Sequence, residues 1–204
     1  MASPPTPDDR APRILHLDDV ERIAVAGVEF RPVRRTLGVT AFGINAYVAA
    51  NPGDEVVEEH DETALGHEEI YAVIAGHATF TVDGEEVDAP AGTLVYLDDP
   101  RQKRQAIAKE AGTTVLAIGG VPGKHEISPW EYFFPALPAV EAGDYDTARA
   151  ILEDGLRELD HSALHYWLAR VEALAGNEGR ARAELAKCSQ RHRDAFAELG
   201  LLSG

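Results

Sequence analysis

Cysteine is almost missing from this chain. Cys188 stands alone in 204 residues, which excludes an intrachain disulfide and any cysteine-cluster zinc site. Basic side chains are also few, 19 Lys and Arg against 35 Asp and Glu, for a formal charge of −16. Phosphate backbones and anionic membranes need a positive surface, so nucleic acid and membrane are not expected partners. No apolar run nears the ~20 residues that span a bilayer. The opening MASPPTPDDRAPR has no basic stretch leading into an apolar segment, so no secretory signal is expected, and the reducing cytoplasm is the expected location. Nucleotide-cradling glycine loops and the Gly-x-Ser-x-Gly elbow are absent too.

What is present is ordinary globular material, 45% hydrophobic and 26% charged. Residues 1–13 carry Pro4, Pro5, Pro7 and Pro12 with little large apolar surface and read as a disordered tail. A short element is expected over 14–23. From about Val28 to Ile118 the hydrophobic period is two, with strands expected at 41–48, 54–59, 68–74, 78–82, 93–97 and 113–118. Val82-Asp83-Gly84-Glu85 is a hairpin signal, because Asp-Gly suits the positive φ values of a type I′ turn. Many short strands separated by turn residues indicate a sandwich or barrel rather than a parallel α/β sheet.

After Gly119-Gly120-Val121-Pro122-Gly123 the period becomes helical. Gly143, Ala148 and Leu152 recur at Gly176, Ala181 and Leu185, an offset of 33 residues. A repeat of about this length, with Gly in the turn and a small Ala following, marks paired helices. It resembles tetratricopeptide repeats over about 130–190, with Asp160 and Gly155 standing where the pattern has Pro and Ala. Two repeats are too few for a free-standing array, so the helices are expected to pack on the barrel or on a second subunit. Trp130, Tyr132, Phe133 and Phe134 are the expected dock.

The segment from Pro52 through Tyr96 resembles the cupin superfamily, small antiparallel double-stranded β-helix barrels. Glu69 followed seven residues later by Gly76 has the spacing of that family's first motif, and Pro90-Ala91-Gly92 that of the second. The resemblance implies a fold of β barrel plus α: a cupin jelly roll at 14–125 after the 1–13 tail, followed by a short helical-repeat domain at 126–204. Metal-binding cupins use a His-x-His pair, the first-motif Glu and a later His. Here His60 can stand for the first His, but Glu62 takes the second slot, and Lys103 or Arg104 falls where the later His belongs.

One metal site remains open on spacing. His67 and Glu69 are two apart on a strand and share a face. With Glu69 directed inward, as the resemblance implies, His67 and Tyr71 follow it, and His60 ends the preceding strand. His60, His67 and Glu69 would form a triad with open positions suited to Fe, Mn, Zn or Ni. The alternative is a metal-free cavity in which the same groups bind a ligand or one another. Tyr71 is the candidate acid/base. Asn45 and Tyr47 alternate on one strand face and are candidate ligand contacts. Arg101, Lys103 and Arg104 suit an anionic small molecule, while the Arg31, Arg34 and Arg35 group suits salt bridging as well. Three functions follow: a small-molecule binder, with or without a divalent metal, whose helices mediate homodimer formation or a protein contact; a metal-dependent oxygenase or isomerase; and a non-catalytic interaction scaffold.

Overall fold

Alternating apolar residues make strands here, and Gly- or Pro-bearing turns end them. The computed structural model describes residues 14–25, 27–125 and 127–202 and divides the chain into two compact units, Met1–His125 and Glu126–Gly204. The reading of 1–13 as a tail lies outside the described residues.

The first unit is built from two antiparallel sheets. One has the order β1 (Ile23–Val25), β2 (Val28–Arg31), β3 (Gly43–Ala49), β10 (Thr114–Gly120), β5 (Glu68–Ala75), β8 (Leu94–Leu97). The other has the order β4 (Glu55–His60), β9 (Arg104–Ala108), β6 (His77–Val82), β7 (Glu85–Pro90). Inward residues of both sheets, among them Val56, Tyr71, Val73, Phe80, Ala106 and Val115, share one apolar core. Burying such side chains contributes about 1.5–3 kcal/mol each, and this closes the barrel. The β6–β7 turn takes φ 50° at Asp83 and 87° at Gly84, the left-handed pair its sequence requires.

A second, smaller core lies on the outer face of β3 and β10. There α1 (Val33–Leu37) and a 3-10 turn at Leu17–Asp19 cover Ala46, Ile44 and Leu116 with Val20, Val33 and Leu37. Arg31 anchors this layer. Its buried guanidinium donates to the carbonyls of Leu17 and Val20 and pairs with Glu29 at 2.5 Å. The element expected over 14–23 is thus only the 3-10 turn and the start of β1. Strand β9 was not foreseen, because its inward positions hold Arg104, Ala106 and Ala108, and a leading arginine breaks the apolar pattern.

The second unit holds five helices among the described residues: α2 (Trp130–Glu141), α3 (Tyr145–Glu158), α4 (Ser162–Leu174), α5 (Glu178–Ala186) and α6 (Gln190–Ala197). Asp144, His161 and Ser189 cap α3, α4 and α6 by accepting backbone N–H bonds. The repeated positions occupy equivalent places. Gly143 and Gly176 both end a helix with positive φ, and Ala148 and Ala181 are both fully buried. Glu172 is buried yet neutralised by Arg149 at 2.7 Å and Arg180 at 3.0 Å. Trp130, Phe133 and Phe134 find ring partners within this unit, Phe133 stacking on Trp167 at 4.0 Å.

Candidate functional site

The barrel encloses a cavity of about 660 Å³. Strand alternation decides what lines it. Asn45 and Tyr47 come from β3, Glu58 and His60 from β4, Glu69 and Tyr71 from β5, and Ala117 and Gly119 from β10. The β4–β5 loop adds Glu62, Leu65 and His67, and Arg34, Phe42 and Val121 stand at the open end. Glu62 is held in place by its backbone. Its N–H donates to the Pro100 carbonyl at 2.8 Å, and its own carbonyl accepts from Gly66 at 2.7 Å.

The deepest polar groups form one connected set. His60 Nδ1 lies 2.6 Å from the Glu58 carbonyl oxygen. A carbonyl only accepts, so Nδ1 carries a proton and the lone pair of the neutral ring sits on Nε2. That Nε2 is 3.7 Å from Glu62 Oε1, 3.9 Å from Glu69 Oε2 and 3.4 Å from the Tyr71 hydroxyl. Tyr71 donates its one hydroxyl proton to Glu69 Oε2. Arg104 Nε stands 3.8 Å from the same Glu69 Oε2.

These contacts set the protonation states. The Glu69 carboxylate raises the pKa of His60. Burial works to raise Glu69, but His60, Tyr71 and Arg104 outweigh it and hold its pKa below the usual carboxylate value. Burial, followed by the Glu69 contact, pushes Tyr71 strongly upward. In this arrangement the Tyr71 hydroxyl donates to Glu69. Burial, then Glu58, Glu69 and Glu62, raise Tyr47 as well.

The three groups that converge are His60, Glu62 and Glu69, with ligand atoms within 4.8 Å of one another. The expected triad had His67 in place of Glu62. His67 does line the cavity, but it turns its Nδ1 to Glu62 Oε2 at 3.8 Å and backs that carboxylate. The signal was legible: Glu62 fills the second slot of His-x-His, and a carboxylate is as good a donor to a hard cation as an imidazole. The set fits a divalent ion. With bonds of about 2.1 Å, tetrahedral donors lie roughly 3.4 Å apart, a few tenths closer than His60 stands to either carboxylate.

The cations expected at this site are mostly elsewhere. Arg101 is 80% exposed and engages Asp99 with Nε at 2.9 Å and Nη2 at 2.7 Å. Lys103 is 65% exposed and reaches Glu59 at 3.5 Å. Strand parity is the reason: Arg104 points into the barrel, so Lys103 points out. Among the described residues, the cavity lining thus offers the carboxylates of Glu58, Glu62 and Glu69 and the guanidinium of Arg34.

No protein-family model matches the chain, and no curated protein does. Solved structures do resemble it. A cupin protein from Bacteroides fragilis is 25% identical over 54% of this chain and 91% of its own, with a TM-score of 0.41. A sugar phosphate isomerase of the cupin superfamily from Silicibacter pomeroyi is 19% identical over 52% of this chain and 74% of its own, TM-score 0.44. An RmlC-like cupin from Shewanella frigidimarina is 16% identical over 55% of this chain and 95% of its own, TM-score 0.44. The fold, by its own strand order, is a cupin-like barrel of two antiparallel sheets followed by a helical region.

Proposed function

We propose that the barrel binds a small polar molecule over a divalent cation held by His60, Glu62 and Glu69. The convergence of these three side chains within 4.8 Å carries the reading. A bound ion would polarise a carbonyl or hydroxyl of the ligand. The protein's own groups do the rest. Glu58 holds the His60 ring so that Nε2 faces inward, Tyr71 fixes one oxygen of Glu69, and His67 backs Glu62. Asn45 and Tyr47 offer hydrogen bonds to the ligand above the floor, and Phe42, Leu65 and Val121 give the opening an apolar edge.

Paired carboxylates in a half-buried floor favour a cation, and a neutral, hydroxyl-rich ligand suits the remaining lining. The helical unit, read as tetratricopeptide-like pairs, is proposed to serve self-association or a protein contact. Its supporting observation is Trp130 and Phe134, which leave more than half of their surface exposed.

Calorimetric titration of chelator-stripped protein with Mn²⁺ and with Zn²⁺ tests the site. One equivalent should bind, and Glu62→Gln should weaken binding by about 10- to 100-fold or more. His67→Ala should cost clearly less. Absence of uptake, or a His67→Ala loss as large as that of Glu62→Gln, would overturn the reading.

A further inference from the structure

Among the described residues of the barrel unit, Arg31 and Arg104 are buried, and they are used differently. Arg31 donates to main-chain carbonyls and to Glu29. Arg104 has a side chain with 0% exposure, yet none of Nε, Nη1 and Nη2 has a hydrogen-bond acceptor among the described residues. A structural arginine in a protein interior is kept by its hydrogen bonds, because the desolvation of a bare guanidinium costs several kcal/mol. Arg104 is held by charge rather than by hydrogen bonds: its ion-pair partner is Glu69, with Nε 3.8 Å from Oε2, and Asp61 also feels its charge.

Its place is set by the sheet. In the β4–β9 ladder Arg104 pairs with His60, and in the β6–β9 ladder with Val82. It therefore enters the interior beside His60, with Nε 3.8 Å from Glu69 Oε2. Its positive charge is one of the contacts that hold the Glu69 pKa below the usual carboxylate value.

We propose that Arg104 is the resident cation of the barrel floor. It holds Glu69 as an oriented carboxylate and competes with a divalent ion for it. The proposal rests on the reading of His60, Glu62 and Glu69 as a cation site, and it adds a residue that touches neither ion nor ligand. Arg104 is a positioning residue. Without an ion it compensates the carboxylates, so the floor stays folded and open. With an ion it opposes the added charge, so the site binds divalent cations weakly and reversibly.

Two measurements on the full chain separate the claims. In chelator, a double-mutant cycle with Arg104→Met and Glu69→Gln is read by urea unfolding. Arg104→Met alone should lower the midpoint, and the double variant should recover most of the loss, because a buried carboxylate without its counter-charge is the cause. Additive effects would overturn the proposal. In Mn²⁺ and Zn²⁺ titrations, Arg104→Met should tighten binding by about 10- to 100-fold through removal of a like charge near the ion. Arg104→Lys, which keeps the charge, should stay within about threefold of wild type. If Arg104→Met binds no tighter than wild type, the competition is refuted. If neither protein takes up an ion, the cation-site reading falls, and the coupling measured in chelator still decides whether Arg104 is the counter-charge of Glu69.

Discussion

Gly119 should be the most informative single position in the barrel. It lies on β10 directly across from Glu69 on β5 and Gly43 on β3. A Cβ added there would sit 3.0 Å from Glu69 Cγ and 3.2 Å from Glu69 Oε1, inside ordinary van der Waals contact. The Gly119 backbone has no positive φ, so alanine meets no conformational barrier. In the folded state the clash is therefore the main perturbation, and the Glu69 side chain must yield by a few tenths of an ångström. Forcing extra volume into a packed site costs about 1–3 kcal/mol, and loss of glycine freedom in the unfolded chain returns about 0.4–1 kcal/mol. Gly119→Ala should thus unfold at slightly lower urea, by no more than about 2.5 kcal/mol. Its cation affinity should fall by about 10-fold or more, since one of three donors leaves its position. Gly120→Ala is the matched control. Its added Cβ would meet only Phe42 Cβ, at 4.0 Å, and both stability and binding should hold. Calorimetry and urea unfolding on the two variants decide the matter. If Gly119→Ala binds Mn²⁺ as wild type does, Glu69 is not a ligand in the orientation described.

The pH response has a defined sign. His60 has its pKa raised above the ordinary 6.5 by Glu69, so protonation stabilises the metal-free fold. That contribution is complete below about pH 6.5 and disappears as pH rises through the folded value. Cation affinity should move oppositely, rising over the same window as Nε2 loses its proton; equal pH slopes in wild type and His60→Asn would refute this. In the helical unit, a Cβ at Gly155 would fall 2.5 Å from Tyr132 Cγ and 2.8 Å from Tyr132 Cβ. Gly155→Ala should lower stability despite alanine's helix preference of about 1 kcal/mol, whereas Gly179→Ala, with open space around it, should raise stability by up to that amount in thermal unfolding.

Much of the architecture was written in local pattern. Period-two alternation located β3, β4, β5, β6, β8 and β10 to within a residue or two at most ends, and Asp83-Gly84 announced its hairpin. The switch to helical period after Gly123, with Gly143 and Gly176 in register, separated the helices from the barrel. These features are legible because each depends on neighbours a few residues away. Strand β9 escaped because its inward face begins with a charged arginine followed by two small alanines, and no hydrophobic periodicity remains to be seen.

The site divides along the same line. Residue spacing alone put Glu69 and Tyr71 on one strand face and His60 at the end of the preceding strand, because alternation is a property of the strand itself. Which third donor joins them is a matter of how the loop from Asp61 to His67 folds. Its backbone bond to Pro100, distant in sequence, brings the Glu62 carboxylate toward His60 and leaves His67 behind it. The choice among Arg101, Lys103 and Arg104 likewise turned on the register of β9 against β4 and β6, where a shift of one residue exchanges inside for outside. Sequence determined the strand faces and the residue types available; long-range pairing decided which of their charges meet in the interior, since the energy of a buried charge depends on partners that only the closed barrel brings within reach.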